Sequence, residues 1–475
     1  MAESTKATTA PEADLEHSVE NNAAPVPWYS ATFTNPWFQI VLISFICFCC
    51  PGMYNALGGM GGSGQVDPTV AANANVALLS ATAATALFVV GPIFSIIGPR
   101  SCWMIGGWTY ALYSGSLLNF NQTANGAFVI ASGAILGIGA SFLWISQGAI
   151  MTSYIDESKK GRAIAVFWII FNSGGMIGSL ASFGLNFNSK EGTVTDSTYI
   201  AFATIMAFGW VIGVFICPPA RVQLKQLRQA EDEIEKRDIR SMAKLTWDTI
   251  FRLKVICVLP LFFCANIFYS YQQNNVNGTT FNIRTRSLNS ALYWMAQMFG
   301  GLVMGLLLDL GSLNRRQRAW AGWVVLMVTG MAIWGGGYAF QVWEDARMAK
   351  GFIQDIDYTD AKIATGPIFL YIFYGAYDAL WQSYSYWLIG TMSNSAAVTS
   401  ILVGAYKTFQ ATGAAMAWRV NALHASSMTQ LGMDWGLCIG SLLLAIPTLL
   451  QITLTSVKPA EDTDEKPEVE EKAAQ

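Results

Sequence analysis

The chain has 475 residues, of which 53% are hydrophobic and only 12% are charged, with a formal net charge of -3. Ordinary soluble domains carry roughly 25% charged residues, so most of this surface is built to meet lipid, and its near-neutral, dispersed charge excludes nucleic acid as a partner. Eight cysteines without zinc-site spacing and histidines only at 17 and 424 exclude a metal centre; no nucleophile–base pair or cofactor motif points to an enzyme or a catalytic residue.

Residues 1–35 are polar and rich in Ala, Glu, Thr and Pro, which predicts a disordered cytoplasmic tail. A secretory signal would place its apolar core nearer Met1, so translocation is expected to begin with the first membrane helix. A helix needs about 20 apolar residues to cross a bilayer. The first half supplies six such stretches, Pro36–Leu57, Val70–Ile97, Cys102–Phe120, Gly126–Ile155, Ala163–Phe187 and Thr198–Pro218, forming a bundle over 36–219. Trp37, Trp103, Trp108, Trp320 and Trp323 lie near predicted membrane edges, where interfacial anchors gather. The glycine run from Gly58 to Gly64 follows the first stretch; with no lysine and no soluble strand it is not a phosphate loop, and a mobile outer lid is one reading. Gly133, Gly137 and Ser141, and Gly174, Gly178 and Ser182, keep small residues four apart, which predicts close helix packing.

A charged link over 220–248 is expected to be a cytoplasmic helix, with Asp232–Lys236 and Glu233–Arg237 in the favourable i,i+4 order. Six more stretches follow, Thr249–Gln273, Leu288–Leu310, Ala319–Val342, Ile363–Ile389, Ala396–Val420 and Trp435–Leu454, in a second bundle over 249–456. Residues 457–475 form an acidic tail expected to be disordered in the cytoplasm. With a cytoplasmic amino terminus, the connections assigned inside carry 16 Lys and Arg and those assigned outside carry 6, so both termini are expected in the cytoplasm of a multi-pass protein whose constant partner is the lipid bilayer. The sequons at Asn121 and Asn277 both fall in connections assigned outside, where N-glycosylation is expected.

Asp378 and Lys407 are the full charges placed well inside the predicted spans, at roughly 2.5 to 3.5 kcal/mol each on insertion scales. Gln382 follows Asp378 by four residues and Gln410 follows Lys407 by three, so each helix presents one polar stripe to the protein interior. A direct Asp378–Lys407 ion pair flanked by Gln382 and Gln410 is the expected arrangement. Two meanings stay open: the pair fixes helix register, or it exchanges a proton, a cation or a polar solute. Asn55 and Asn172 are further candidate cavity groups, and interhelical hydrogen bonding accounts for either equally well.

Six helices, a cytoplasmic link and six more helices resemble the major facilitator superfamily, an all-α membrane fold of two six-helix bundles around a central cavity. The segment Gly305-Leu-Leu-Leu-Asp309 through Arg315 and Arg316 is similar to that superfamily's loop signature, which implies a cytoplasmic gate; its first-half counterpart, Gly91 through Arg100, has Ser95 in place of the acid. Pro51-Gly-Met-Tyr-Asn55 with the following glycines, Tyr374-Gly-Ala-Tyr-Asp378-Ala-Leu-Trp-Gln382, and Tyr406-Lys407 with Gly413-Ala-Ala-Met-Ala-Trp418-Arg419 resemble the fungal form of the Unc-ninety-three-like branch. That resemblance implies a transporter-like protein moving an unknown small solute or ion, or a regulatory or trafficking subunit of another membrane protein such as an ion channel.

Overall fold

A computed structural model describes residues 32–64, 68–155, 159–185, 187, 194–218, 221–222, 239–393 and 396–454. The tails and the Asp232–Lys236 and Glu233–Arg237 pairs lie outside these residues. The described residues form twelve helical spans: α1 (Pro36–Gly59), α2 (69–97), α3 (99–123), α4 (Gly126–Ser153), α5 (Lys160–Leu185), α6 (Asp196–Phe215), α7 (Leu253–Gly278), α8 (Ile283–Leu308), α9 (Arg315–Met348), α10 (Ala361–Met392), α11 (Ala396–Ala422) and α12 (Ser427–Leu450). Nine described helices are long and apolar enough to cross a membrane by length and composition. The others, α2, α3 and α11, carry polar groups such as Asn75, Asn121 and Lys407 along their length.

Local chemistry sets many boundaries. Asn35 accepts from the Trp37 amide ahead of Pro36, Asn282 from the Thr285 amide, and Asn314 with Gln317 closes a reciprocal capping box at α9. Gly98, with φ of 73°, reverses the chain before Pro99 and separates α2 from α3. Inside α1 a wide π-turn runs over Phe48–Gly52 and contains Pro51, whose missing N–H an ordinary turn would have to replace.

The small-residue stripes pack as expected. A Cβ on Gly137 would sit 2.1 Å from the Leu78 carbonyl oxygen, and one on Gly174 would sit 2.4 Å from that of Phe48, so α4 rides on α2 and α5 on α1 with backbones in contact. The bundles meet mainly along α5 with α8 and α2 with α11. In the first seam Trp294 fills the space over Gly175 and Trp168 the space over Gly301.

One expectation is corrected here. Trp103 is not an interfacial anchor: it is fully buried and donates to the Trp210 carbonyl at 3.2 Å. The glycine run does not stand free above the protein but is packed into it. Residues 61–64 are buried in a tight coil with φ of 75°, 55°, 52° and 81°, values that Gly61, Gly62 and Gly64 adopt without the cost a side chain brings. The amphipathic linker helix Ile239–Ile250 leaves Trp247 exposed, with its ring tilted against Phe251 at 4.1 Å, a side suited to the membrane surface.

Candidate functional site

Between the bundles lies a small chamber of two adjoining lobes, about 100 and 120 Å³, largely apolar and aromatic with a few polar side chains set into it, that share Asn55, Trp144, Asn266 and Tyr269 among their walls. Lys407 enters it from α11, where the polar stripe turns inward. Its ammonium lies 4.4 Å from the centre of the Trp144 ring, 4.9 Å from that of Tyr406 and 5.4 Å from that of Tyr386, and donates to Gln410 Oε1 at 2.9 Å. An ammonium held this way draws on the order of 2 kcal/mol from a desolvated ring. Trp144 belongs to the first bundle and Lys407 to the second, so this contact spans the seam.

Asp378, fully buried on α10, accepts from Tyr269 Oη at 2.5 Å, from Gln297 Nε2, and from Gln382 Nε2 at 2.8 Å. The expected direct ion pair is not formed: the ion pairs among the described residues do not include Asp378 with Lys407. Instead Gln410 Nε2 donates to Gln382 Oε1 at 3.2 Å, giving a relay from Asp378 through Gln382 and Gln410 to Lys407. Asn266 Oδ1 accepts from both glutamines, and Tyr406 Oη donates to Gln382 and accepts from Gln410. The four residues do converge. The reason for the correction is geometric, because the i+4 and i+3 glutamines occupy the space between the two charged ends.

Each end of the chamber is closed by contacts across the seam. On the face poorer in lysine and arginine, the charge-poor face, Arg286 of α8 donates Nε to the Met60 carbonyl at 2.7 Å and Nη2 to that of Gly61 at 2.8 Å, while Asn277 Nδ2 donates to the Gly59 carbonyl at 2.9 Å. The glycine coil continues the closure: Tyr199 Oη donates to the Ser63 carbonyl at 2.9 Å and Asn274 Oδ1 accepts from the Gly62 amide at 3.1 Å. Beside it Arg284 pairs with Asp357 at 2.6 Å. Burial opposes charge on Asp357, but donors from Arg284, the Thr359 amide and Asn282 outweigh it and hold the carboxyl below the ordinary carboxylate range. On the charge-rich face the Asp309 carboxylate lies on the first turn of α5, where a Cβ on Gly161 would sit 2.2 Å from either oxygen. A carboxylate there meets the positive end of the helix dipole.

The remaining predicted residues are distributed as follows. Asn55 lines both lobes. Asn172 is buried but lines neither, and its amide has no hydrogen-bond partner among the described residues. Gly305 faces Ala165 across the α5–α8 seam at 3.5 Å, measured from an added Cβ. Arg315 donates to the Gly390 carbonyl at 3.3 Å and Arg316 is exposed, so neither is placed as a described ion-pair partner of Asp309. Asn121 is half-buried and donates to Asp196 at 3.0 Å. Asn277 is a correction: it is fully buried with its amide committed to backbone carbonyls, so the folded chain offers no glycan attachment there.

Three buried charged residues among those described escaped the sequence reading: Arg286, Asp434 and Glu344, the last paired with Arg347 at 3.1 Å. Arg286 counts as a loop cation until the chain folds over it. Asp434 stands beside the predicted start of the last stretch, yet Ser426 caps α12 by accepting from the Thr429 amide, which puts Asp434 two turns inside. That cap is the signal that extends the helix over it.

Residues 70–348 match the family described as "Ion channel regulatory protein UNC-93". UNC93-like protein 1 of Arabidopsis thaliana is 40% identical over 95% of this chain and 96% of its own length, and a UNC93-like protein of Schizosaccharomyces pombe is 39% identical over 89% and 84%. Among solved structures, the major facilitator superfamily proton:xylose symporter XylE aligns with a TM-score of 0.62 at 11% identity, over 89% of this chain and 95% of that one. By its end-to-end relatives and its family match, this chain belongs to the UNC-93 family and has the major facilitator fold.

Proposed function

We propose that this protein moves a small solute or ion across a membrane by alternating access, without covalent chemistry. The observation that carries the reading is the closed chamber at the seam, in which a lysine of one bundle rests on a tryptophan of the other. Rocking the bundles apart must break that contact and present Lys407 to whichever side opens. In this reading the two six-helix bundles are the moving units, Asp378, Gln382, Gln410 and Lys407 hold the solute or coupling ion, and Asn55 helps to line the path. Asp309 with Gly161 is the gate on the charge-rich face, which the lysine and arginine distribution assigns to the cytoplasm together with both termini.

A second reading is favoured by the family description, in which the protein regulates another membrane protein. The relay around Asp378 suits it, since both carboxyl oxygens of Asp378 and the side-chain amides of Gln382 and Gln410 already have partners inside the chain.

The deciding measurement is flux into proteoliposomes, screened over ions, amino acids, sugars and lipids, with Asp378→Asn at matched insertion. Transport predicts accumulation that the variant cuts at least tenfold while the protein stays folded. Flat traces from correctly inserted wild-type protein, with a stable co-purifying membrane protein, decide for the regulatory reading.

A further inference from the structure

The second bundle contains another buried acid, away from the central chamber. Asp434 of α12 is fully buried, and neither carboxyl oxygen has a hydrogen-bond partner among the described residues. The titratable groups that interact with it are Cys264 and Tyr271 of α7, Tyr374 of α10 and Cys438 one turn further along α12. Two of the neighbouring donors are spent elsewhere, while the Tyr374 hydroxyl and the Trp334 indole N–H are buried without a partner among the described residues and neither is bonded to Asp434. Cys264 donates to the Leu437 carbonyl at 3.3 Å and Tyr271 donates to Gln341 Oε1 at 2.8 Å. Tyr374 is itself held from α9 by Trp334, whose ring centre is 5.3 Å from its own, and by Gly337, where a Cβ would sit 2.2 Å from the Tyr374 hydroxyl. No lysine or arginine among the described residues forms an ion pair with Asp434.

An ionised carboxylate without donors or a counter-charge is among the most expensive groups to place inside a membrane protein, and it is relieved by taking up a proton. A hard metal cation would require several oxygen ligands, whereas the surroundings are two thiols, the phenols of Tyr271 and Tyr374, and aromatic rings. We propose that Asp434 is a proton-binding site in the second bundle: its carboxyl holds a proton in this closed conformation and releases it when α9, α10 or α12 moves enough to admit water. In release the carboxyl O–H bond breaks, the proton passes to water, and the carboxylate left behind is hydrated. This goes beyond the central chamber and does not depend on which solute, if any, the protein carries.

The test is hydrogen/deuterium infrared spectroscopy on the full chain in nanodiscs at neutral pH, with thermal unfolding alongside. The expected result is a protonated-carboxyl band at the high-frequency end, where carboxyls without hydrogen bonds absorb. It shifts down in deuterium oxide, disappears in Asp434→Asn and persists in Asp378→Asn. Asp434→Asn, which exchanges one neutral group for another, is expected to unfold within a few degrees of wild type, and Asp434→Glu to restore a carboxyl band. A band of unchanged intensity in Asp434→Asn overturns the proposal. So does a folded Asp434→Glu accompanied by an Asp434→Asn that cannot fold, because that outcome requires a charge at this position.

Discussion

Arg286 spends two guanidinium donors on the carbonyls of Met60 and Gly61. Removing them strands buried acceptors, each worth about 1–3 kcal/mol. Arg286→Met should therefore lower thermal stability by that order and speed maleimide labelling of a cysteine placed at Gly58 from the charge-poor side. Arg286→Lys should recover only part of the loss, because a single ammonium does not reproduce the planar fork. Unchanged labelling in Arg286→Met would show that the contact does not close this end. At this scale the sequence was partly readable. The stripes bearing Asp378, Gln382, Lys407 and Gln410 follow from helical spacing, but which member touches which depends on side-chain reach, and so the glutamines displaced the expected ion pair. Arg286 and Asp434 were hidden because a residue at a helix end looks exposed until its cap and its neighbours are known.

Helix against helix, the packing rests on bare backbone. Gly137→Ala would push a methyl to 2.1 Å from the Leu78 carbonyl, whereas Gly115, on α3, faces open space. Overpacking of this kind costs about 1–3 kcal/mol, while alanine in a helix interior gains roughly 0.5–1 kcal/mol over glycine. Thermal unfolding should thus fall for Gly137→Ala and hold or rise for Gly115→Ala; equal effects would mean that α2 and α4 do not touch as described. The four-residue spacing of small side chains made this contact readable in advance. The wide turn at Phe48–Gly52 was not, because it depends on where α5 crosses α1 as much as on Pro51.

For the whole molecule, the all-helical fold and the order of its apolar stretches were legible because lipid demands long apolar helices. The arrangement of their seam was not, since twelve similar stretches carry no label for their neighbours. The closed state has an acid-sensitive element at one end. Asp357 has a folded-state carboxyl below its ordinary value of 3.8, so its pairing with Arg284 contributes fully above that value and is lost as pH falls beneath it. Thermal unfolding of the wild type should weaken below about pH 4, and Asp357→Asn should flatten that limb of the curve. An identical acid limb in the variant would exclude this pair as its source. The neighbouring clamp behaves differently. Arg286 grips main-chain oxygens, which do not titrate, and a guanidinium keeps its charge throughout the physiological range. Carried from a neutral organelle into an acidic one, the bolt on this face would hold with undiminished strength, and exchanging the side chain of Met60 would leave it fastened as long as the coil kept its shape.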